Sequence, residues 1–383
     1  MQTKTLNFIE PELNELKEKG LYKNIRTIQS AQGAWVEIEG RRVLNFCSNN
    51  YLGFAADERI KAAAKGAIDK YGVGPGAVRT IAGTMTIHEE LERELAKFKG
   101  VEACLTVQSG LIANMCAIPA LVGKEDTIVS DELNHASIID GMMLSGAEFR
   151  RYRHLDYGHL EEMLKERAGG SRRVLVVSES VYSMDGDVAD LRILVDLCRK
   201  YGAILYIDEA HSVGVRGIRG AGCCEEAGVI DEVDIIIGTL GKAFCSAGAF
   251  AIVRPELKDY LINHTRPFIF TTGLPPVNIN WTRFILNKMP AMRKEREHLA
   301  ALGEYLRDGL SARGLKTFGS SQIVPLIVGE NGPAEELAGK LRDGGFLALP
   351  VRPPTVPAGT ARLRFSLHAD LKQEQLSDLL ELL

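Results

Sequence analysis

The chain has 383 residues, 45% hydrophobic and 25% charged, with a net charge of −4; this is a globular composition, long enough for two or three domains, without the basic excess of a nucleic-acid binder. Its seven cysteines are scattered, with Cys223 and Cys224 adjacent and no CxxC pair, which argues for reduced thiols in a cytosol and against a disulfide framework or a zinc site. No apolar run approaches the roughly 18 residues that span a membrane, and Met1 to Lys19 is polar and charged, unlike a signal peptide.

An N-terminal segment, 1–45, begins with a charged helical arm from Glu10-Pro11-Glu12 to Lys19-Gly20. Trp35-Val36-Glu37-Ile38 and Val43-Leu44-Asn45-Phe46 read as paired strands around the turn Glu39-Gly40. The glycine-rich Gly72-Val73-Gly74-Pro75-Gly76 comes next. Thr86-Ile87-His88-Glu89 then reads as a capping box, and Ile87, Leu91, Leu95 and Phe98 recur at helical spacing. From about 100 to 255, apolar runs alternate with helical patterns such as Leu191 to Leu197. The runs begin at Ala103, Thr127, Val174, Ile204, Ile235 and Ala249. Such alternation predicts a largely parallel sheet covered by helices. After Pro275-Pro276 a helix-rich stretch runs to about 315. A strand near Ile323, a helix from Ala334, strands near 347–352 and 361–366 and a last helix follow. The expected domains are a large α/β domain over 46–275 and a small C-terminal α+β domain over 276–383.

Thr239-Leu240-Gly241-Lys242 leaves the end of the apolar run Ile235-Ile236-Ile237-Gly238. A lysine there can be stripped of water and held as a neutral amine near pH 7, the form that makes Schiff bases. Alone, it would read as a surface lysine. A second run ends in Asp208-Glu209-Ala210-His211. A lysine, an aspartate at a strand end and a nearby histidine are what pyridoxal phosphate requires: an amine for its aldehyde and an anion to keep its ring nitrogen protonated. Ligands of parallel sheets bind beyond the strands' carboxyl ends, and other groups stand at such ends. Ser109-Gly110 opens a helix whose N-terminus suits a phosphate. His135, in Asn134-His135-Ala136-Ser137, is flat enough to stack on a ring. Ser183 lies in the turn Tyr182-Ser183-Met184-Asp185-Gly186-Asp187. Each has an ordinary structural reading too; their joint placement near Lys242 carries the argument.

At these residues, and at Asn49-Asn50-Tyr51-Leu52-Gly53, the chain resembles the α-oxoamine synthases, a family of fold-type I pyridoxal-phosphate enzymes, from about residue 20 to its end. The resemblance implies a fold-type I α/β transferase, with a mainly parallel sheet in the large domain. It implies four catalytic residues: Lys242 carries the cofactor, Asp208 pairs with its ring nitrogen, His211 bonds its ring hydroxyl and His135 stacks on it. Gly110, Leu111 and Thr239 would hold the phosphate, with Ser183 beside the ring. The family is dimeric, and Thr271 and Thr272 match positions that reach a neighbouring subunit's phosphate. Near 361–366, Ala361, Leu363 and Phe365 alternate with Arg362, Arg364 and Ser366. One arginine facing the site would clamp an amino acid's carboxylate bidentately. By resemblance it is Arg364, with Asn49 assisting and Thr355 near the substrate; a solvated strand face fits Arg362 better.

Two groups within the family are represented. Arg79 to Thr84, Asn134 to Gly141 and Gly238 to Lys242 are more similar to members that join glycine to acetyl-CoA in threonine breakdown. Arg352 to Arg364 and Phe270 to Pro276 resemble members that join L-alanine to a pimeloyl thioester in biotin synthesis. The small domain closes over the substrate, so the second resemblance has more weight. The expected activity is therefore a decarboxylative condensation of L-alanine with pimeloyl-CoA or a pimeloyl acyl carrier protein, by a cytoplasmic homodimer. The glycine reaction and a non-catalytic cofactor-binding homologue are the alternatives. Leu111 in place of an aromatic, Cys245-Ser246 where glycine is usual, and Gly273 where serine or another small residue is usual depart from the family pattern.

Overall fold

The computed structural model describes residues 6–167, 170 and 172–383; residues 1–5 of the expected N-terminal segment lie outside the described residues. In chain order the described strands are β1 (Trp35–Ile38), β2 (Arg41–Asn45), β3 (Ala103–Val107), β4 (Thr127–Asp131), β5 (Glu148–Tyr152), β6 (Val174–Glu179) and β7 (Ile204–Asp208). They continue with β8 (Ile235–Thr239), β9 (Ala249–Val253), β10 (Ile323–Gly329), β11 (Phe346–Leu347), β12 (Pro350–Val351) and β13 (Ala361–Ser366). The chain divides into two units. The first comprises 1–49, 184–186 and 299–383, and the second 50–183 and 187–298.

The second unit is built on a seven-stranded sheet in the order β3-β9-β8-β7-β6-β4-β5. Pairing is parallel from β8 through β7, β6 and β4 to β5. In this sheet β9 alone runs opposite to the other six strands, pairing antiparallel with β3 and β8. The apolar runs became strands because both faces are covered: β3, β4, β8 and β9 are buried throughout. Ile118, Ile138 and Met142, from the helices Gly110–Leu121 and Ala136–Ser145, share one core with Leu175, Tyr206 and Ile237 of the sheet. Strand β5, Glu-Phe-Arg-Arg-Tyr, has no apolar signature because it lies at the sheet's edge with mostly exposed side chains.

Two local expectations change. Thr86 is the first residue of the helix Thr86–Lys99, and Met85 occupies the cap position with no side-chain cap bond. The capping box is therefore absent, although Ile87, Leu91, Leu95 and Phe98 form the buried face as spaced. The second unit also extends beyond 275, through residue 298. The helix Pro276–Lys288 packs on Glu58–Tyr71 and on Thr86–Lys99, so a change of pattern along the chain is not a change of core.

In the first unit, β1 and β2 form an antiparallel hairpin. Its turn residues, Glu39 and Gly40, both have positive φ, 53° and 72°, as a tight two-residue hairpin needs. Strand β11 joins β2 in parallel, so the N-terminal segment is completed by chain about 300 residues further on. β10, β13 and β12 make a second, antiparallel sheet. Among the described residues, no helix is long and apolar enough to cross a membrane.

Candidate functional site

The parallel strands of the second unit all point their carboxyl ends the same way, and the expected cofactor residues follow those ends. Lys242 leaves β8 in a turn, half-buried, with Nζ 2.6 Å from His211 Nε2. His211 is 4% exposed, and its Nδ1 lies 2.7 Å from the Tyr51 hydroxyl. Asp208 ends β7 and is 5% exposed. Its Oδ1 accepts from the Ala210 amide at 2.9 Å and its Oδ2 from Asn114 Nδ2 at 3.0 Å. Both carboxylate oxygens are thus satisfied without neutralising the charge, which suits a partner for a buried cation.

A chain of hydrogen bonds runs from Asp208 to His135. Asn114 also donates to Ser137 Oγ at 2.8 Å and accepts from the Tyr206 hydroxyl. Ser137 Oγ lies 2.7 Å from His135 Nδ1, which also accepts the Ser137 amide at 3.2 Å. That makes Nδ1 the acceptor and leaves the ring proton on Nε2. Desolvation by the surrounding protein lowers the His135 pKa; Asp208 opposes this and Lys242 adds to it. His135 is therefore a neutral, flat ring at pH 7. Its backbone is held by Glu179, whose Oε1 accepts the His135 amide at 2.6 Å. Burial drives the Glu179 carboxyl well above its ordinary range, with the Asp208 charge reinforcing the effect.

A second set of donors faces the start of the helix Gly110–Leu121. Ser109 caps this helix, its Oγ accepting from the Ile112 amide at 3.2 Å. Among the described residues the Gly110 and Leu111 amides have no protein acceptor, as expected of a first helical turn. A Cβ on Gly110 would stand 3.8 Å from Thr239 Oγ1, so the helix start and the end of β8 converge. Gln108 Nε2 donates to the Thr272 and Thr271 carbonyls at 2.6 and 3.4 Å, which brings those threonines to the same region. Ser183 is buried at the base of a loop closed by the bond from the Tyr182 amide to the Asp187 carbonyl at 2.9 Å. An amine against a buried histidine, a buried carboxylate at the end of the neighbouring strand, and free amides and a hydroxyl nearby make a donor set that fits pyridoxal phosphate.

The expected substrate residues lie in the first unit. Arg364 Nη1 and Nη2 each stand 3.3 Å from Asn49 Oδ1, and Ser366 Oγ donates to the same oxygen at 3.2 Å. Thr355 is exposed and lines a cavity of about 830 Å3. Arg362 corrects the expectation of a solvated face. It is 5% exposed and ion-paired to Asp185, because the segment 184–186 covers that side of β13. Strand alternation separates two faces but does not say what covers each.

The sequence did not single out Asn114, Ser137, Tyr51 or Glu179 as site residues. Asn114 had a signal, as the one strongly polar side chain in an otherwise apolar helix; Tyr51 lay inside a recognised motif. Of the departures, Cys245 adopts φ 44° and directs Sγ to Asn50 Oδ1 at 2.6 Å. Ser246 Oγ accepts from Thr282 at 2.7 Å. A Cβ on Gly273 would press on Arg79 Cγ at 3.3 Å, and Leu111 is exposed.

Residues 41–383 match the family described as Aminotransferase class I and II. The chain is 46% identical over 377 residues to 8-amino-7-oxononanoate synthase of Chlorobaculum parvum, covering 97% of this chain and 96% of that one. It is 47% identical over 371 residues to the enzyme of the same name from Geobacter sulfurreducens, covering 96% and 95%. Among solved structures, serine palmitoyltransferase from S. paucimobilis with a bound PLP–myriocin aldimine matches with a TM-score of 0.92 at 30% identity, over 100% of this chain and 97% of that one.

Proposed function

The chain belongs to the class I and II aminotransferase family and, within it, to the fold-type I α-oxoamine synthases, and on that footing we propose that it catalyses the decarboxylative condensation of L-alanine with a pimeloyl thioester. The products are 8-amino-7-oxononanoate, CO2 and the free thiol, a step of biotin synthesis. The observation that carries this reading is the near-full-length identity to enzymes of that name. Pyridoxal phosphate supplies an aldehyde for an amine and a ring that drains charge from the amino acid's Cα.

Lys242 would hold the cofactor through Nζ, and the same amine, when free, would be the base that takes the Cα proton. Asp208, fixed by Asn114 and the Ala210 amide, would keep the cofactor's ring nitrogen protonated. His211, set between Tyr51 and Lys242, would bond the ring hydroxyl, neutral His135 would offer a stacking face, and Ser183 would stand beside the ring. The Gly110 and Leu111 amides and the Thr239 hydroxyl would hold the phosphate. Thr271 and Thr272 serve the second subunit of a cytoplasmic homodimer. Arg364, supported by Asn49, takes the alanine carboxylate, with Thr355 nearby. The new bond joins alanine Cα to the acyl carbon as the C–S bond breaks. The carboxylate then leaves as CO2, and its electron pair accepts a proton at Cα.

The similarity of Arg79 to Thr84 and of Gly238 to Lys242 to glycine-using members favours one rival, the condensation of glycine with acetyl-CoA. Thiol release separates the two. The protein loaded with pyridoxal phosphate is assayed with L-alanine and pimeloyl-CoA, then with glycine and acetyl-CoA. A higher kcat/KM for the first pair is expected; the reverse order replaces this assignment with the glycine reaction.

A further inference from the structure

Asn114 uses its whole side-chain amide inside the protein. It is 1% exposed, in a helix whose other side chains are apolar. Its Nδ2 donates to Asp208 Oδ2 and to Ser137 Oγ, and its Oδ1 accepts from the Tyr206 hydroxyl. Turning the amide over would set Oδ1 against the Asp208 carboxylate and leave the Tyr206 proton facing an NH2 group, so the orientation is fixed from both ends. Tyr206 stands two residues before Asp208 on β7, which puts both side chains on one face of the sheet. Burial, reinforced by the Asp208 charge, drives the Tyr206 phenol well above its ordinary range, so it keeps the proton it donates. Ser137 accepts from Asn114 and has its own proton left for His135 Nδ1. This contact needs two helices close together. Gly141, one turn after Ser137, supplies the room, since a Cβ there would stand 2.7 Å from the Asn114 carbonyl oxygen.

Each proton in the row Tyr206–Asn114–Ser137–His135 thus has one direction. A proton on His135 Nδ1 would face the protons of both the Ser137 hydroxyl and the Ser137 amide. We propose that Tyr206, Asn114 and Ser137 are positioning residues that join Asp208 and His135 into one unit: the amide that steadies the anion meant for the ring nitrogen also keeps the proton off the histidine meant for the ring face. The proposal rests on the cofactor reading above and adds the residues that set the protonation pattern of its two ring contacts. Charged surroundings alone do not set it. Burial opposes a charged His135 and Lys242 adds to this, while Asp208 and Asp140 favour the charge; Glu179 accepts the His135 amide.

Titration of His135 in the cofactor-free protein, followed by NMR of the ring nitrogens, tests the row apart from any reaction; His135→Gln identifies the signals. Ser137→Ala should raise the His135 midpoint by about half to one pH unit, because a donor to the neutral ring is lost. Ser137→Thr, which keeps the hydroxyl, should restore the wild-type midpoint. Tyr206→Phe, which removes a hydrogen bond to neither Asp208 nor His135, should raise it as well. In the protein loaded with pyridoxal phosphate, Asn114→Leu should slow exchange of the alanine Cα proton about tenfold or more and change cofactor affinity less, because Lys242 and the phosphate contacts remain. A His135 titration that either Ser137→Ala or Tyr206→Phe leaves unchanged overturns the proposal, whatever the stability of the variant. So does Asn114→Leu that loses stability but exchanges at the wild-type rate. A wild-type protein that takes up no pyridoxal phosphate and exchanges no Cα proton refutes the cofactor reading, and the proposal with it.

Discussion

His154 makes the stability of this protein depend on pH in a window that can be calculated. The residue follows β5 and is 18% exposed. Its Nδ1 lies 2.9 Å from Asp131 Oδ1 and its Nε2 3.3 Å from Asp187 Oδ2, and its ring meets the edge of Tyr182 with centroids 4.4 Å apart. Asp131 is fully buried and also accepts the Leu133 and Leu155 amides, each at 2.9 Å. Burial disfavours the charged imidazolium, but the two carboxylates outweigh it and raise the pKa from 6.5 to about 9. Only the imidazolium can donate from both nitrogens. The gap between the two values corresponds to about 3 kcal/mol. Because the folded pKa is the higher one, that stability is fully present below about pH 6.5 and is lost as the pH rises through about 9. His154→Gln removes the titration. Denaturant unfolding of the wild-type and variant proteins between pH 6 and 10 should show a large stability difference at pH 6 that shrinks by about 3 kcal/mol toward pH 10. A difference that stays constant over this range refutes the ionic reading. The base of the loop carrying Ser183 is gripped by the same residues, so the variant should also become more susceptible to proteolysis at 182–187.

Asp208→Asn keeps the shape of the site but removes the charge that a protonated ring nitrogen needs. Cofactor absorbance should persist while exchange of the alanine Cα proton slows by orders of magnitude; near-normal exchange contradicts the role. Arg364→Ala should raise the alanine KM about tenfold or more, because a charge-assisted pair with the carboxylate is worth about 1.5–3 kcal/mol; an unchanged KM removes Arg364 from the substrate site. Arg362→Ala should act on stability instead, costing about 3 kcal/mol by removing a largely buried ion pair with Asp185, and a thermal unfolding midpoint equal to the wild type would show that the pair contributes nothing.

What could be read from the chain alone was set by short-range physics. A strand covered on both faces must be an apolar run, and the residues just past it must lie at the sheet's rim. Lys242, Asp208, His211, His135 and the Ser109-Gly110 helix start were legible for that reason, and family resemblance then gave them roles. The strand β5 was not legible, because an edge strand can be polar. Nor was the joining of residues 35–45 to the C-terminal part of the chain, which depends on backbone hydrogen bonds between β2 and β11 that leave no mark on side-chain pattern. Tertiary structure alone decided which polar groups meet. It put Asn114 of a helix against Asp208 of a strand, Tyr51 against His211 and Asp185 against Arg362. It also closed a cationic, apolar-walled cavity from residues 21–48, Met184 and 335–355. Such partners are chosen by strand register and packing, which bring together positions far apart in the chain, whereas propensity and periodicity act only within a few residues.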